Sequence, residues 1–192
     1  SRIFREFLSE FEDSRRKGLI DTPERVSRMY SELLSGYSVD FKRLLNNATF
    51  KTENEDMIIV TDIEFFSLCE HHIIPFFGTA HVGYIPNGKI IGLSKIPRLI
   101  QALSRKLQVQ ENLTSEISNT LDQLLMPQGV GVVLKGIHLC TRMRGVKTHK
   151  SSLITSSMLG SVKVFKEGTR KGRKITPPAS SAVLSQLYSM TV

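Results

Sequence analysis

The N-terminal part of the chain shows hydrophobic residues at helical spacing. Such residues recur over positions 3–11, which predicts an amphipathic first helix. Thr22 followed by Pro23 suits the start of a second helix that continues to about Gly36. Another short helix is expected over residues 41–45. This part of the chain is therefore predicted to be helical.

The pattern then changes to β-branched and aromatic residues, which favour strands. Residues 57–69 predict a long strand, and residues 79–86 predict a second one. The Asn-Gly dipeptide at 87–88 is typical of a hairpin turn, and it is expected to lead into a short strand over 90–93. The middle of the chain is thus expected to begin with a β-hairpin.

A helix pair and two further strands complete the pattern. One helix is expected to begin at Ser94 and to run to about residue 107, and the next covers residues 113–125. Strands are predicted over 130–142 and 153–158. Helices, a hairpin, a helix pair and a second strand pair, in this order, predict an α+β fold rather than a doubly wound sheet.

Length and charge bound the organisation of the chain. Its 192 residues suit one domain with a core plus a tail. We expect an N-terminal helical region over residues 1–50, a main domain over 51–165 and a basic tail over 166–192. The segment 166–174 carries five Lys or Arg residues against one Glu, and it supplies much of the net charge of +8. The remainder is only mildly basic.

The composition excludes some classes and leaves others open. No apolar run is long enough to cross a bilayer, and the first residues are too charged for a signal peptide. A cytoplasmic protein is therefore expected. The positive charge indicates an anionic partner, which can be nucleic acid, a membrane surface or a nucleotide.

The cysteines and histidines form two groups along the sequence. Cys69 and His72 stand three apart at the end of a predicted strand, a common separation for two ligands of one metal. Alternation along the strand 130–142 would place His138 and Cys140 on the same face. Two thiolates and one imidazole leave a tetrahedral zinc ion one position short, which is typical of catalytic zinc because water can occupy that position.

Other interpretations of the two cysteines remain open at this point. Cys69 and Cys140 can form a disulfide, or they can be unrelated buried thiols. A closed structural zinc site would need a fourth ligand, either His71 or His138. The remaining histidines are expected to be packing or solvated residues: His81 and His149.

A second set of residues suits anions. Ser94, Lys95 and Arg98 lie at the start of a predicted helix, where free backbone N–H groups favour phosphate. Lys95 and Arg98 share one helix face because they stand three apart. Arg142 and Arg144 follow the second cysteine, so positive charge is expected near the metal.

Four segments together resemble the signature blocks of the GTP cyclohydrolase I family. The likeness runs from about residue 18 to residue 160, with the blocks in the same order as in the family. The blocks are Cys-Glu-His-His at 69–72, Ile-Gly-Leu-Ser-Lys-Ile-Pro-Arg at 91–98, Leu-Gln-Val-Gln-Glu-Asn-Leu-Thr at 107–114 and His-Leu-Cys-Thr-Arg-Met-Arg-Gly at 138–145.

The resemblance implies a zinc enzyme that converts GTP to 7,8-dihydroneopterin triphosphate and formate, the first step of pterin and folate biosynthesis. It implies one Zn²⁺ per subunit on Cys69, His72 and Cys140, with His71 and His138 as catalytic histidines. Residues implied to bind substrate lie around the guanine, the ribose and the triphosphate: Glu70, Ser94, Lys95, Arg98, Gln110, Glu111 and Arg144.

The resemblance also implies an assembly. The family has the tunnelling fold, in which subunits pair their sheets into a barrel, usually as a homodecamer. Its pockets lie between subunits, and the Arg144 position serves the pocket of a neighbour. GTP as substrate is then the expected anionic partner, and neither nucleic acid nor a membrane is expected.

Two rival functions can be weighed on sequence alone. A zinc-stapled, basic nucleic-acid-binding domain would use the positive charge, but the chain has a single Cys/His cluster and no recognised nucleic-acid motif. A zinc nucleobase deaminase would need a Pro-Cys-x-x-Cys element, which the sequence does not contain. The first of these remains the alternative from another class.

Overall fold

The computed structural model describes residues 1–46 and 48–162, and the predicted tail over 166–192 lies outside these residues. The helices are α1 (Arg2–Ser9), α2 (Thr22–Leu33), α3 (Phe41–Leu45), α4 (Lys95–Ser104), α5 (Gln110–Leu125) and α6 (Leu139–Arg142). The strands are β1 (Thr49–Lys51), β2 (Ile58–Cys69), β3 (Pro75–Ile85), β4 (Lys89–Ile91), β5 (Leu107–Gln108), β6 (Gly129–His138) and β7 (Leu153–Gly160). The predicted α+β class is confirmed.

Five strands form the main sheet in the order β5-β2-β3-β6-β7. All neighbours are antiparallel except β5, which runs parallel to β2. The register pairs Leu68 with Pro75 and Phe76 with His138, so the end of β2, the start of β3 and the end of β6 lie at the same end of the sheet. We call this the loop end of the sheet; Tyr84 of β3 lies near the opposite end.

Helices α4 and α5 cover one face of this sheet and bury the core. Alternate residues of β3, from Ala80 to Tyr84, point into it because side chains alternate along a strand. The helices contribute a stripe of leucine and isoleucine side chains at helical spacing. These residues are nearly or fully buried: Leu99, Ile100, Leu103, Leu113, Ile117 and Leu121. The core therefore fixes both helices relative to the sheet.

The N-terminal helices pack more loosely. No residue of α1 is buried, and its contact with α2 includes a stack of Phe4 on Tyr30, with ring centres 5.7 Å apart. Large apolar side chains stay exposed along it, including Ile3 and Phe7. Within the described ranges, no helix has the length and apolar character that a membrane span requires.

The predicted hairpin at 87–88 is wrong. Gly88 does adopt a left-handed backbone with φ of 70°, which suits a turn. However, β4 pairs with β1 instead of β3, and Gly92 N–H donates to the carbonyl of Ala48. Pro86 has no N–H to continue the ladder, so the chain leaves the sheet after Ile85.

The predicted strand over 130–142 also ends early, which corrects the proposed placement of Cys140. The strand stops at His138, and Cys140 lies in the short helix α6. The reason is that the last pair with β3 is Phe76 with His138, while pairing with β7 ends already at Gly136. The Thr141 hydroxyl then donates to the His138 carbonyl at 3.0 Å and closes the helical turn.

Candidate metal centre and active site

A tight loop between β2 and β3 carries the Cys-Glu-His-His segment. Cys69 N–H donates to the carbonyl of Ile74 at 3.0 Å, and the Cys69 carbonyl accepts from Ile73 N–H at 2.8 Å. These bonds hold Ile73 in the left-handed region, with φ of 54°, where a β-branched residue is rare. The loop is therefore strained, and it holds Glu70, His71 and His72 exposed beyond the sheet.

Cys69, His72 and Cys140 come together at the loop end and form a group that can hold a metal ion. Their ligand atoms all lie within 4.8 Å of one another. The two cysteines are buried and free, so they do not form a disulfide, and His72 is exposed. Sγ of Cys69 lies 3.8 Å from Nδ1 of His72. Two soft thiolates and an imidazole suit zinc among the common metals, so the donor set fits the predicted ion.

The thiolate forms of Cys69 and Cys140 would be stabilised by a bound cation. Burial raises the pKa of the Cys140 thiol, and the neighbouring Cys69 raises it further. Two thiolates side by side in a buried site repel each other, whereas a dication between them would stabilise both. Metal binding is therefore expected to release protons from this pair.

His138 lies beside the group but outside it. Its ring stacks on Phe76 with the centres 4.6 Å apart and the planes 4° apart, and its Nε2 lies 2.9 Å from Oε1 of Gln110. Burial lowers the pKa of His138. Among the described residues, the metal-binding group contains Cys69, His72 and Cys140 without His138, which leaves this imidazole available for other chemistry.

His71 occupies a different environment from His138. Its Nδ1 lies 3.8 Å from Sγ of Cys69, and its Nε2 lies 3.8 Å from the carboxylate of Glu70. It is exposed, and its ring is tilted by 71° from that of His72. The two histidines outside the metal-binding group therefore differ in environment, because His71 is exposed and His138 is partly buried.

The start of α5 contributes two of the predicted substrate residues, and they differ in exposure. Glu111 is exposed, and its charge opposes the effect of burial on the pKa of His138, so the two lie near each other. Gln110 is fully buried, and its amide bonds only protein groups. Glu111 is thus accessible to a ligand in this conformation, whereas Gln110 is enclosed.

Arg144 lies at the metal-binding group of its own chain. Its Nη1 donates to Nε2 of His72 at 3.1 Å. Arg142 instead donates from Nη2 to the carbonyl of Ser151. The predicted positive charge near the metal is therefore contributed by Arg144.

The residues at the start of α4 lie elsewhere. Ser94 and Arg98 are exposed, and the ammonium group of Lys95 donates to the carbonyl of Leu44 at 2.8 Å. Helix α4 spans 10 residues, and β5, which pairs beside Cys69, follows its C-terminus. Since a helix rises about 1.5 Å per residue, α4 is about 15 Å long and separates Ser94, at its start, from the segment that adjoins the loop end. One chain does not bring the two predicted sets together.

Sequence reasoning missed Phe76 and the bond between Gln110 and His138. The first depends on the register between β3 and β6, which pairs Phe76 with His138, and the second depends on the packing of α5 against β6. No local pattern specifies that register, although Phe76 stands only four residues beyond His72.

An α+β sheet that carries a Cys₂His group beside two further histidines is typical of a metal-dependent enzyme. A family model described as GTP cyclohydrolase I matches residues 1–174, and the chain belongs to that family. Its fold is accordingly the tunnelling fold, and the protein is an enzyme of that family's type.

Curated relatives support the same assignment. A protein named GTP cyclohydrolase 1 from Leptospira biflexa is 52% identical over 159 residues, which cover 82% of this chain and 87% of that protein. One from Methylococcus capsulatus is 49% identical over 159 residues, covering 82% and 86%. One from Campylobacter jejuni is 51% identical over 149 residues, covering 78% of each.

Proposed function

We propose that this chain hydrolyses and rearranges GTP to 7,8-dihydroneopterin triphosphate and formate, with one zinc ion per subunit on Cys69, His72 and Cys140. The observation that carries the proposal is the convergence of these three side chains within 4.8 Å in a chain of this family. When bound, zinc would supply Lewis acidity that makes a water molecule nucleophilic near neutral pH.

The two histidines outside the metal-binding group are the proton-transfer groups in this proposal. His138 is partly buried and stands two residues before the ligand Cys140, and His71 is exposed with its Nδ1 3.8 Å from Sγ of Cys69. Opening a purine ring requires proton delivery to ring nitrogens, and an imidazole can exchange protons near neutral pH. Neither histidine is needed as a ligand, because the three donors already leave one position of a tetrahedral ion for water.

Glu111 is the residue that we assign to guanine recognition. Its exposed carboxylate at the start of α5, near His138, can accept hydrogen bonds from the N1–H and N2–H₂ groups of guanine. Adenine does not present this pair of donors, so it would leave the Glu111 carboxylate without its partners in the occupied pocket and would be rejected. Glu70 is exposed beside His71 and belongs to the same pocket in this proposal.

The triphosphate is assigned to Ser94, Lys95, Arg98 and Arg144. Arg144 already lies at the metal-binding group, whereas the other three lie at the start of α4, a helix about 15 Å long whose C-terminal end leads to the loop end. A triphosphate is too short to contact both Arg144 and the start of α4 within one chain. We therefore propose that α4 of a second copy completes the pocket in a homo-oligomer, with a decamer as the expected assembly.

Nucleic-acid binding is not favoured as the alternative function. Family membership assigns the Cys/His cluster to an enzyme, and the basic residues named above have a role toward the triphosphate. The two free cysteines suit a reducing compartment such as the cytoplasm, where GTP is available.

Incubation of the purified protein with GTP tests the proposal. Formate and, after oxidation, a fluorescent pterin should form, and ATP should give neither. A chelator should abolish turnover, and added zinc should restore it. Full turnover in metal-free protein would contradict the proposed chemistry, and absence of both products from the zinc-loaded protein would contradict the proposed reaction.

A further inference from the structure

A buried polar seam joins α5 to the edge of the sheet beside His138. Gln110, Thr114 and Ser118 follow one another at four-residue spacing along one face of α5. Thr114 and Ser118 meet the hydroxyl groups of Thr155 and Ser157 in β7, at 2.6 Å and 2.7 Å. Gln110 is at the end of the seam that is closest to the metal-binding group, and it is the member that contacts a candidate catalytic residue.

The orientation of the Gln110 amide is determined by its surroundings. Its Nε2 faces the carbonyl oxygens of Leu134 and Leu153, at 3.2 Å and 3.0 Å, and the hydroxyl of Thr155 at 3.0 Å. A carbonyl oxygen can only accept, so the amide nitrogen must be on this side. The reverse orientation would place two carbonyl oxygens against the amide oxygen in a fully buried site, which is costly.

This orientation dictates the tautomer of His138. Oε1 of Gln110 lies 2.9 Å from Nε2 of His138, and an amide oxygen can only accept. Nε2 must therefore carry a hydrogen, which leaves Nδ1 as the nitrogen with the free lone pair in the neutral ring. The stack of the ring on Phe76 holds its plane, so the imidazole cannot rotate freely away from the bond between Nε2 and Gln110.

Gly136 provides the space for this arrangement. It lies on β6, and a Cβ atom at this position would collide with Oε1 of Gln110. A glycine inside a strand often marks the close approach of another group. The sheet is thus shaped to admit the Gln110 amide beside His138.

We propose that Gln110 is a positioning residue that holds His138 as the Nε2–H tautomer, so that Nδ1 is the nitrogen that exchanges protons with the substrate. The assignment of a proton-transfer role to His138 rests on the proposed function, whereas the tautomer follows from the contacts alone. Gln110 then acts through His138 and does not read the guanine edge itself.

The test combines ¹⁵N NMR of histidine-labelled, zinc-loaded protein with steady-state kinetics on GTP. Protonated and unprotonated ring nitrogens have separate ¹⁵N shifts, and the His138 signals are identified by their absence from a His138→Asn variant. Gln110→Met keeps the length of the side chain but removes the amide. Ser118→Ala is the matched control, because it removes a hydroxyl from the same seam at the end away from His138.

The wild-type protein and Ser118→Ala should show His138 protonated at Nε2 alone. Gln110→Met should show a mixture of tautomers, with kcat lowered about 10- to 100-fold, by analogy with the loss of a partner that orients a metal-bound histidine. The KM for GTP and the zinc content should change little. Gly136→Ala, which displaces the amide without removing it, should shift the tautomers and kcat in the same direction.

Several results would overturn the inference. These are a wild-type His138 protonated at Nδ1, a Gln110→Met variant with an unchanged tautomer, or an equal fall of kcat in Ser118→Ala. A rise in KM for GTP with kcat unchanged would indicate that Gln110 binds guanine instead of orienting His138. If Gln110→Met shifts the tautomer in a protein that does not convert GTP, the inference about the tautomer is supported and the proposed function fails.

Discussion

The loop end of the sheet and the start of α4 both carry residues assigned to one reaction, but they are built differently. At the loop end, buried cysteines, a stacked imidazole and a strained loop hold every group through contacts within the chain. At the start of α4, Ser94 and Arg98 are exposed, and Lys95 contacts a backbone carbonyl. The cysteines and His138 of the loop end are thus held by their own chain, whereas Ser94 and Arg98 at the start of α4 are open to contact from outside it.

This difference predicts that substitutions at the two regions impair different properties of the enzyme. Changes at the loop end should remove the metal or the catalytic step. Changes at the start of α4 should leave the metal and the catalytic groups intact and should weaken the binding of the triphosphate. The predictions below test this separation.

The largest effect is expected from removal of a metal ligand. Cys140→Ala removes one of three donors, so zinc content should fall from one per chain to near zero and GTP turnover should fall to background. Metal analysis beside activity checks this, with Arg98→Ala as the control from the other region. Retention of stoichiometric zinc by Cys140→Ala would exclude this cysteine as a ligand.

The next effect is expected from the two histidines outside the group. His71→Ala and His138→Ala should keep zinc and lose about 10²- to 10⁴-fold in kcat, the usual contribution of a general acid or base. His72→Ala should lose both zinc and activity. If His138→Ala loses metal as His72→Ala does, the site has four ligands and is structural.

A smaller effect is expected at the start of α4. Arg98→Ala should weaken GTP binding by about 1.5–3 kcal/mol, because a charge-assisted bond to phosphate is lost. Guanosine binding should hardly change, since guanosine lacks the triphosphate. Calorimetric titration of both ligands gives the comparison, and equal losses for GTP and guanosine would place Arg98 away from the phosphates.

The smallest effect concerns His81, which lies within β3 and outside both regions. It is fully buried, its Nδ1 accepts from Asp62 N–H at 3.3 Å, and burial lowers its pKa below the ordinary value of 6.5. Because the unfolded chain then binds more protons than the folded chain, this residue stabilises the fold fully above pH 6.5, and the contribution is lost as pH falls below that value.

The expected loss is at most about 1.4 kcal/mol per pH unit for one proton. Thermal unfolding between pH 7.5 and 5.5 should show a shallower pH dependence in His81→Gln than in the wild type. The exposed His149 supplies the control, and His149→Gln should follow the wild-type curve. An unchanged slope in His81→Gln would show that His81 does not contribute to the pH dependence.

The sequence predicted the elements of both regions better than their arrangement. The periodicity of β2, α4 and α5 is local, so these elements were expected close to their observed bounds. The sequence predicts Cys140 on a strand because residues 130–142 fit one continuous strand. The strand ends at His138 because its partner strands end there, and no local signal encodes the extent of a partner.

The arrangement of the candidate site shows the same limit. Cys69 and His72 share one loop, so their proximity follows from spacing alone. The distance between Arg98 and the metal-binding group depends on the direction of α4, which is set by the pairing of β4 with β1 instead of β3. The local Asn-Gly signal favoured a hairpin, and a contact between distant segments determined the path.

The central claim is that one pocket combines the loop end of one copy with the start of α4 of another. The direct measurement is activity in mixed oligomers of two inactive chains, His138→Ala and Arg98→Glu, purified through different tags. Random mixing should return about one quarter of wild-type activity, because that share of pockets regains both intact regions. Verified mixed oligomers no more active than their parents would show that each chain builds its pocket alone.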